Sequence, residues 1–185
     1  MSHEPFHSTF RHVIPKSVLK RYMQYIWHDI TGSDVKLRVQ KKAFRALHIL
    51  VQQQLLECLR AAKRCCTLAK RQVVMHRDVY FVRCTLFSNI CFHSTVPGRK
   101  AISKPLANNA CKALGKLAHV SLSKKKNTNP KRPWSVFDEL RHLLGDMVFE
   151  ILYHVLRRGE FVNMLCDTHV DAAVHQIGLK ASYSF

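Results

Sequence analysis

The chain has 185 residues, 47% of them hydrophobic, and sets 30 Lys and Arg against 12 Asp and Glu, a formal charge of +18 with a sequence pI near 10.0. That length and apolar content exclude a disordered chain and allow one medium domain or two small ones around a real core. Left unneutralised, the charge opposes compaction by self-repulsion, so a polyanion is the expected partner, nucleic acid ahead of an acidic membrane surface. Residues 1–95 carry +11 and residues 96–185 carry +7, so both halves are expected to meet it.

In chain order, residues 1–13 read as a polar, His-containing arm, and Pro15 opens a first helix over residues 16–28, broken by the "DITGSD" stretch at 29–34. From about Val39 to Thr67 there is no Gly or Pro, and Ala43, Leu47, Leu50, Val51, Leu55, Cys58, Leu59, Ala62 and Cys66 keep the spacing of one long amphipathic helix. A helix of that length needs partners along it. "AKRQVVMHRDVYF", residues 69–81, then sets a basic pair before a short β-branched run and an aspartate, which predicts a loop, an extended segment at Gln72–Met75 and a third helix from near Arg77. Residues 88–105, with Pro97, Gly98 and Pro105, read as a linker.

The order then repeats. Residues 106–120 have a short helical period, 121–134 are polar and Lys-rich, and Ser135 with Asp138 forms a Ser-x-x-acid helix start for a second long helix over 136–158. After another loop, Thr168 and Asp171 stand in the same arrangement ahead of a last short helix. Two short-long-short units predict two copies of one three-helix fold, packed on each other because neither buries both sides of its long helix alone.

Every apolar stretch is interrupted by Lys or Arg before the roughly 18 residues of a membrane helix, and no charged-then-apolar signal opens the chain, so a soluble intracellular protein is expected. The seven cysteines form no CxxC pair and read as reduced thiols, and the twelve histidines show no metal-site spacing; no metal or other cofactor is expected. No nucleophile elbow, phosphate loop or paired carboxylates suggest an enzyme, and no aromatic RNA-binding motif favours an RNA-binding protein.

The loop segments carry a resemblance. "LRVQ" at Leu37–Gln40, "AKR" at Ala69–Arg71, Met75 and Asp78 run without a gap like the first loop, second loop and third-helix start of an H-three-type core histone. The second unit resembles an H-four-type histone through "DELR" at Asp138–Arg141 and "THVDAAV" at Thr168–Val174, with an H-two type as the alternative. Two such folds in one chain resemble the histone doublets of large DNA viruses. The resemblance implies an all-α chain of two fused histone folds paired as an intramolecular heterodimer: arm 1–13, H-three-type fold 14–88, linker 89–105, second fold 106–180, tail 181–185.

It also implies roles. Arg38 takes the place of the first-loop arginine that enters the DNA minor groove, Lys70 and Arg71 that of the phosphate-facing pair, and Arg71 with Asp78 that of an ion-pair clamp. Lys131 falls where the second fold would present its groove residue. Lys41, Lys42, Lys124, Lys125, Lys126 and Arg132 are further phosphate candidates, and Leu68, Phe81 and Cys84 read equally as core or as the face of a four-helix bundle with a second copy. The function so implied is compaction or wrapping of double-stranded DNA in nucleosome-like particles without sequence specificity, with a further histone pair, in the nucleus or in a viral factory and virion. The alternative is a histone-fold adaptor of a transcription complex.

Overall fold

A computed structural model of the chain describes residues 13–32, 34–90, 104–124, 135–158 and 164–179, with only the backbone helix described at 104–107. The elements, in order, are α1 (Lys16–Thr31), β1 (Arg38–Val39), α2 (Lys41–Leu68), β2 (Val73–Val74), α3 (His76–Leu86), α4 (Lys104–Leu117), β3 (Ser121–Leu122), α5 (Val136–Arg157), β4 (Met164–Leu165) and α6 (Asp167–Ile177). The described residues are thus mostly helical, in two successive short-long-short units, α1–α3 and α4–α6.

Local chemistry sets the boundaries. Pro15 caps α1, where its missing N–H costs nothing. The helix runs past the expected break to Thr31, where Gly32 takes the left-handed conformation (φ 61°) and returns its N–H to the His28 carbonyl. Gln24 pins the following segment by exchanging two hydrogen bonds with the Leu37 backbone, at 2.7 and 3.0 Å. Trp27 is buried, its Nε1 donating to the Val35 carbonyl, so it serves packing. α4 begins at Lys104, inside the expected linker, with Pro105 in its first turn, where a proline is tolerated. Phe87 and Ile90, just beyond α3, are buried in the core.

The units interlock. β1 pairs in parallel with β4, and β2 with β3, so each strand finds its partner in the other unit. α1 packs on α5, α3 on α5, and α6 on α2. A continuous apolar core therefore takes Leu19, Met23 and Ile26 from α1, Leu47 and Leu55 from α2, Leu143 and Ile151 from α5, and Val170 and Ile177 from α6. α2, 28 residues and ~42 Å at 1.5 Å per residue, is buried on more than one side along most of its length, which is why its apolar positions outnumber a single stripe.

The start of α6 departs from expectation. Thr168 and Asp171 do not cap it; the helix begins two residues earlier, with Cys166 in the cap position and its N–H donating to His169 Nδ1 at 3.2 Å. The extended pair Met164–Leu165 fixes this register, because Leu165 must lie opposite Val39 with its side chain in the core.

Candidate nucleic-acid interface

Exposed cations stand at both strand pairs. At the first, Arg38 lies opposite Met164, and the Gln40 N–H reaches the Leu165 carbonyl at 2.9 Å, fixing how α2 leaves the strand. Arg38, Lys41, Lys42 and Arg45 are all exposed around that helix start. Gln40 makes no side-chain cap and the first turn holds no acid. The positive end of the α2 dipole and its leading N–H groups therefore face outward beside three or four cations, an arrangement suited to a phosphate oxygen.

At the second strand pair, α2 ends in a tight turn: Lys70 adopts φ 52°, its N–H bonds the Thr67 carbonyl, and the Arg71 N–H bonds the Cys66 carbonyl. This left-handed turn separates the two basic side chains. Lys70 is exposed. Arg71 folds back and meets Asp78 with both terminal nitrogens, at 2.9 and 2.5 Å, while Asp78 also accepts the Met75 N–H at 2.8 Å. Burial raises the Asp78 carboxyl, but the Arg71 guanidinium and the Met75 N–H together hold it below the usual carboxylate range. The expected clamp is thus formed, and Arg71 is committed to it.

Opposite Val73 stands Ser121, with the Ser123 N–H on the Val74 carbonyl and Lys124 exposed just beyond. By strand register, Ser121 stands opposite Val73 as Arg38 stands opposite Met164. Between β3 and the Ser135 cap lie residues 123–134, whereas β1 leads straight to Gln40. Lys125, Lys126, Lys131 and Arg132 lie outside the described residues. Lys63, which sequence reasoning passed over, donates from α2 to the His119 carbonyl at 2.9 Å and ties the two units beside this turn. Nothing in the sequence signals it, because the partner is a backbone carbonyl 56 residues away.

α5 offers no comparable anion site. Ser135 and Asp138 form the expected reciprocal cap, Arg141 adds a 2.9 Å bond to Asp138, and Asp138 and Glu139 place acids in the first turn. Burial raises the Asp138 carboxyl, and the Ser135 N–H and hydroxyl with Arg141 more than offset it, leaving it low. Leu68 (85% exposed) and Phe81 (56%) lie on the surface with Cys84 half-buried, so the core reading of this group is set aside. Among the described residues, no group of His, Cys, Asp and Glu is arranged to hold a metal ion, and no helix is long and apolar enough to cross a membrane.

No protein-family model matches the chain, and no curated protein matches it. Among solved structures, the crystal structure of the histone from Methanopyrus kandleri is similar over 87% of this chain and 93% of that chain, with a TM-score of 0.57 and 14% identity. At that identity the likeness is one of backbone: the chain has the histone fold.

Proposed function

We propose that the chain is two histone folds fused in one polypeptide and paired with each other, a doublet of H-three-like and H-four-like units that compacts duplex DNA without reading its sequence. The reciprocal strand pairing carries this reading: β1 with β4 and β2 with β3 gather the exposed cations of the loops at two ends of one body. The likeness to the archaeal histone supports it, because 87% of the chain exceeds either unit alone. Phosphates are the natural partner of an open helix N-terminus flanked by Arg38, Lys41 and Lys42 and of exposed Lys70 and Lys124, and such contacts carry no base information. The chain then acts by shape and charge and catalyses nothing. A second copy would join through the exposed Leu68, Phe81 and Cys84 surface, with a further histone pair completing a particle. A nucleus, or the factory and virion of a DNA virus, is the matching location.

Nuclease digestion of protein reconstituted on random-sequence duplex tests this reading. A discrete protected length is expected. Uniform degradation, with the protein instead recovered in a stable protein complex, supports the adaptor function.

A further inference from the structure

The three-helix units meet through a buried charged cluster that the DNA reading leaves unused. Arg83 of α3 is 3% exposed, and its side chain points into α5 of the other unit. One terminal nitrogen donates to Glu139 Oε2 at 3.0 Å, and the other bonds Asp146 Oδ2. His76 Nε2 lies 2.9 Å from Glu139 Oε1. Glu139 and Asp146 are completely buried, two turns apart on one face of α5.

The two units can be laid over each other by residue number. β2, the Met75 cap and α3 recur 91 residues later as β4, the Cys166 cap and α6, both helices being eleven residues long. Arg83 therefore corresponds to Val174, which is also buried. The buried positions of α2 recur in α5 at a shift of 96, as in Ala46 with His142, Leu47 with Leu143, Val51 with Met147 and Leu55 with Ile151. On that shift Glu139 and Asp146 correspond to Ala43 and Leu50, and the residues next to these, Phe44 and Val51, are apolar as well. One of the two crossed contacts is thus charged, arginine on two acids, and the other is apolar, valine against an apolar long helix.

We propose that the cluster of Arg83, Glu139 and Asp146 decides which unit pairs with which, admitting unlike units and excluding a second copy of the same unit. Two α1–α3 units would each bury Arg83 against Ala43 and Leu50 with no acid in reach. Two α4–α6 units would bury Glu139 and Asp146 against Val174 with no cation. An uncompensated buried charge disfavours both by far more than it disfavours the unlike pair, where each charge is met. The partner this face accepts is a long helix bearing two acids seven residues apart. Binding of DNA plays no part in the inference.

The test uses two differently tagged copies of the full chain, one with Arg38→Cys and one with Val73→Cys. In a like pair, β1 of one copy would take β2 of the other, setting position 38 opposite 73, as Arg38 now stands opposite Met164. Within one chain these positions lie at opposite ends of α2, ~42 Å apart along the helix. The copies are denatured, mixed, refolded and oxidised, and the peptide joining positions 38 and 73 is quantified by mass spectrometry. The parent is expected to give background only. The Arg83→Val, Glu139→Ala, Asp146→Leu variant, which copies the apolar contact, is expected to refold and to raise the cross-link at least tenfold. Where it fails to refold, Glu139→Gln with Asp146→Asn preserves volume and carries the same expectation. Equal cross-linking in the parent, or parental levels in whichever variant refolds, overturns the proposal.

Discussion

Both α3 and α6 run eleven residues after a two-residue strand, yet the third helical residue is Asp78 in the first and His169 in the second. The backbone need is the same: an N–H of the cap residue, Met75 or Cys166, requires an acceptor three residues on. In the first unit the acceptor is a carboxylate that also holds Arg71, so the loop before α3 is fastened by a bidentate ion pair. In the second it is an imidazole nitrogen. The same pairing of like backbones with unlike chemistry appears at Arg83 and Val174. The two units of this chain share the backbone geometry at these sites and differ in the charge they place there.

The largest expected effect separates Arg83 from Val174. Arg83→Ala takes the arginine from two buried carboxylates, leaving Glu139 with His76, and is expected to cost about 3 to 5 kcal/mol, whereas Val174→Ala removes two carbons from an apolar contact and costs about 1 to 3 kcal/mol. Thermal melting of the two variants measures the gap. Equal losses would show that the acids find other partners when the arginine is gone. A smaller contrast is expected at the helix starts: Asp78→Ala should cost about 1 to 3 kcal/mol through the lost cap and the arginine left without its acid, and His169→Ala no more than about 1 kcal/mol. A reversed order in chemical denaturation would mean that the clamp adds little.

Acid should weaken the chain through the carboxylates held low. Asp78 and Asp138 both have folded-state values below the ordinary one of roughly 3.9. Their contribution is fully present above that value and is lost as pH falls through the lower folded-state values, because the unfolded chain then binds more protons. Stability should therefore hold to about pH 5 and fall below about pH 4, and Asp78→Asn or Asp138→Asn should each start lower and fall less steeply. Urea titrations at stepped pH check both the lower starting point and the shallower slope of these two variants.

The long helices were legible from their apolar spacing, and the Arg71–Asp78 clamp only through the resemblance of its loop to an H-three-type histone, because the residues alone read as an ordinary helix start with an acid in its first turn. The helix starts were legible only where a side chain with one strong preference stands in place, as Ser135 does. At α6 the Thr168–Asp171 pattern misled, since the parallel pairing of β4 with β1, 126 residues apart at Arg38 and Met164, decides where the helix begins. The same kind of long-range register sets Ser121 opposite Val73, which no local pattern announces. Lys63 on the His119 carbonyl and Arg83 between Glu139 and Asp146 were invisible for the same reason: their partners lie in the other unit.

The smallest expected effect tests DNA contact at the β2–β3 end. The turn that sends Arg71 into the clamp leaves Lys70 exposed, so the two adjacent cations have different roles and must be probed separately. Arg71→Ala would disturb the loop along with any phosphate contact and says little about binding. Lys70→Ala removes one cation from a residue whose backbone, not its side chain, shapes the turn. Each phosphate contact contributes a slope of about 0.9 in log affinity against log salt, so the variant should bind random duplex more weakly at low salt, with a slope smaller by about 0.9. The loss should be the same on any sequence, since a phosphate contact reads no base. Binding equal to the parent at every salt concentration would remove this end from the DNA path and leave the strand pair at Arg38 as the only one engaged. Wrapping around both ends would then fail, and a histone-fold adaptor that touches DNA at one edge would account better for the charge.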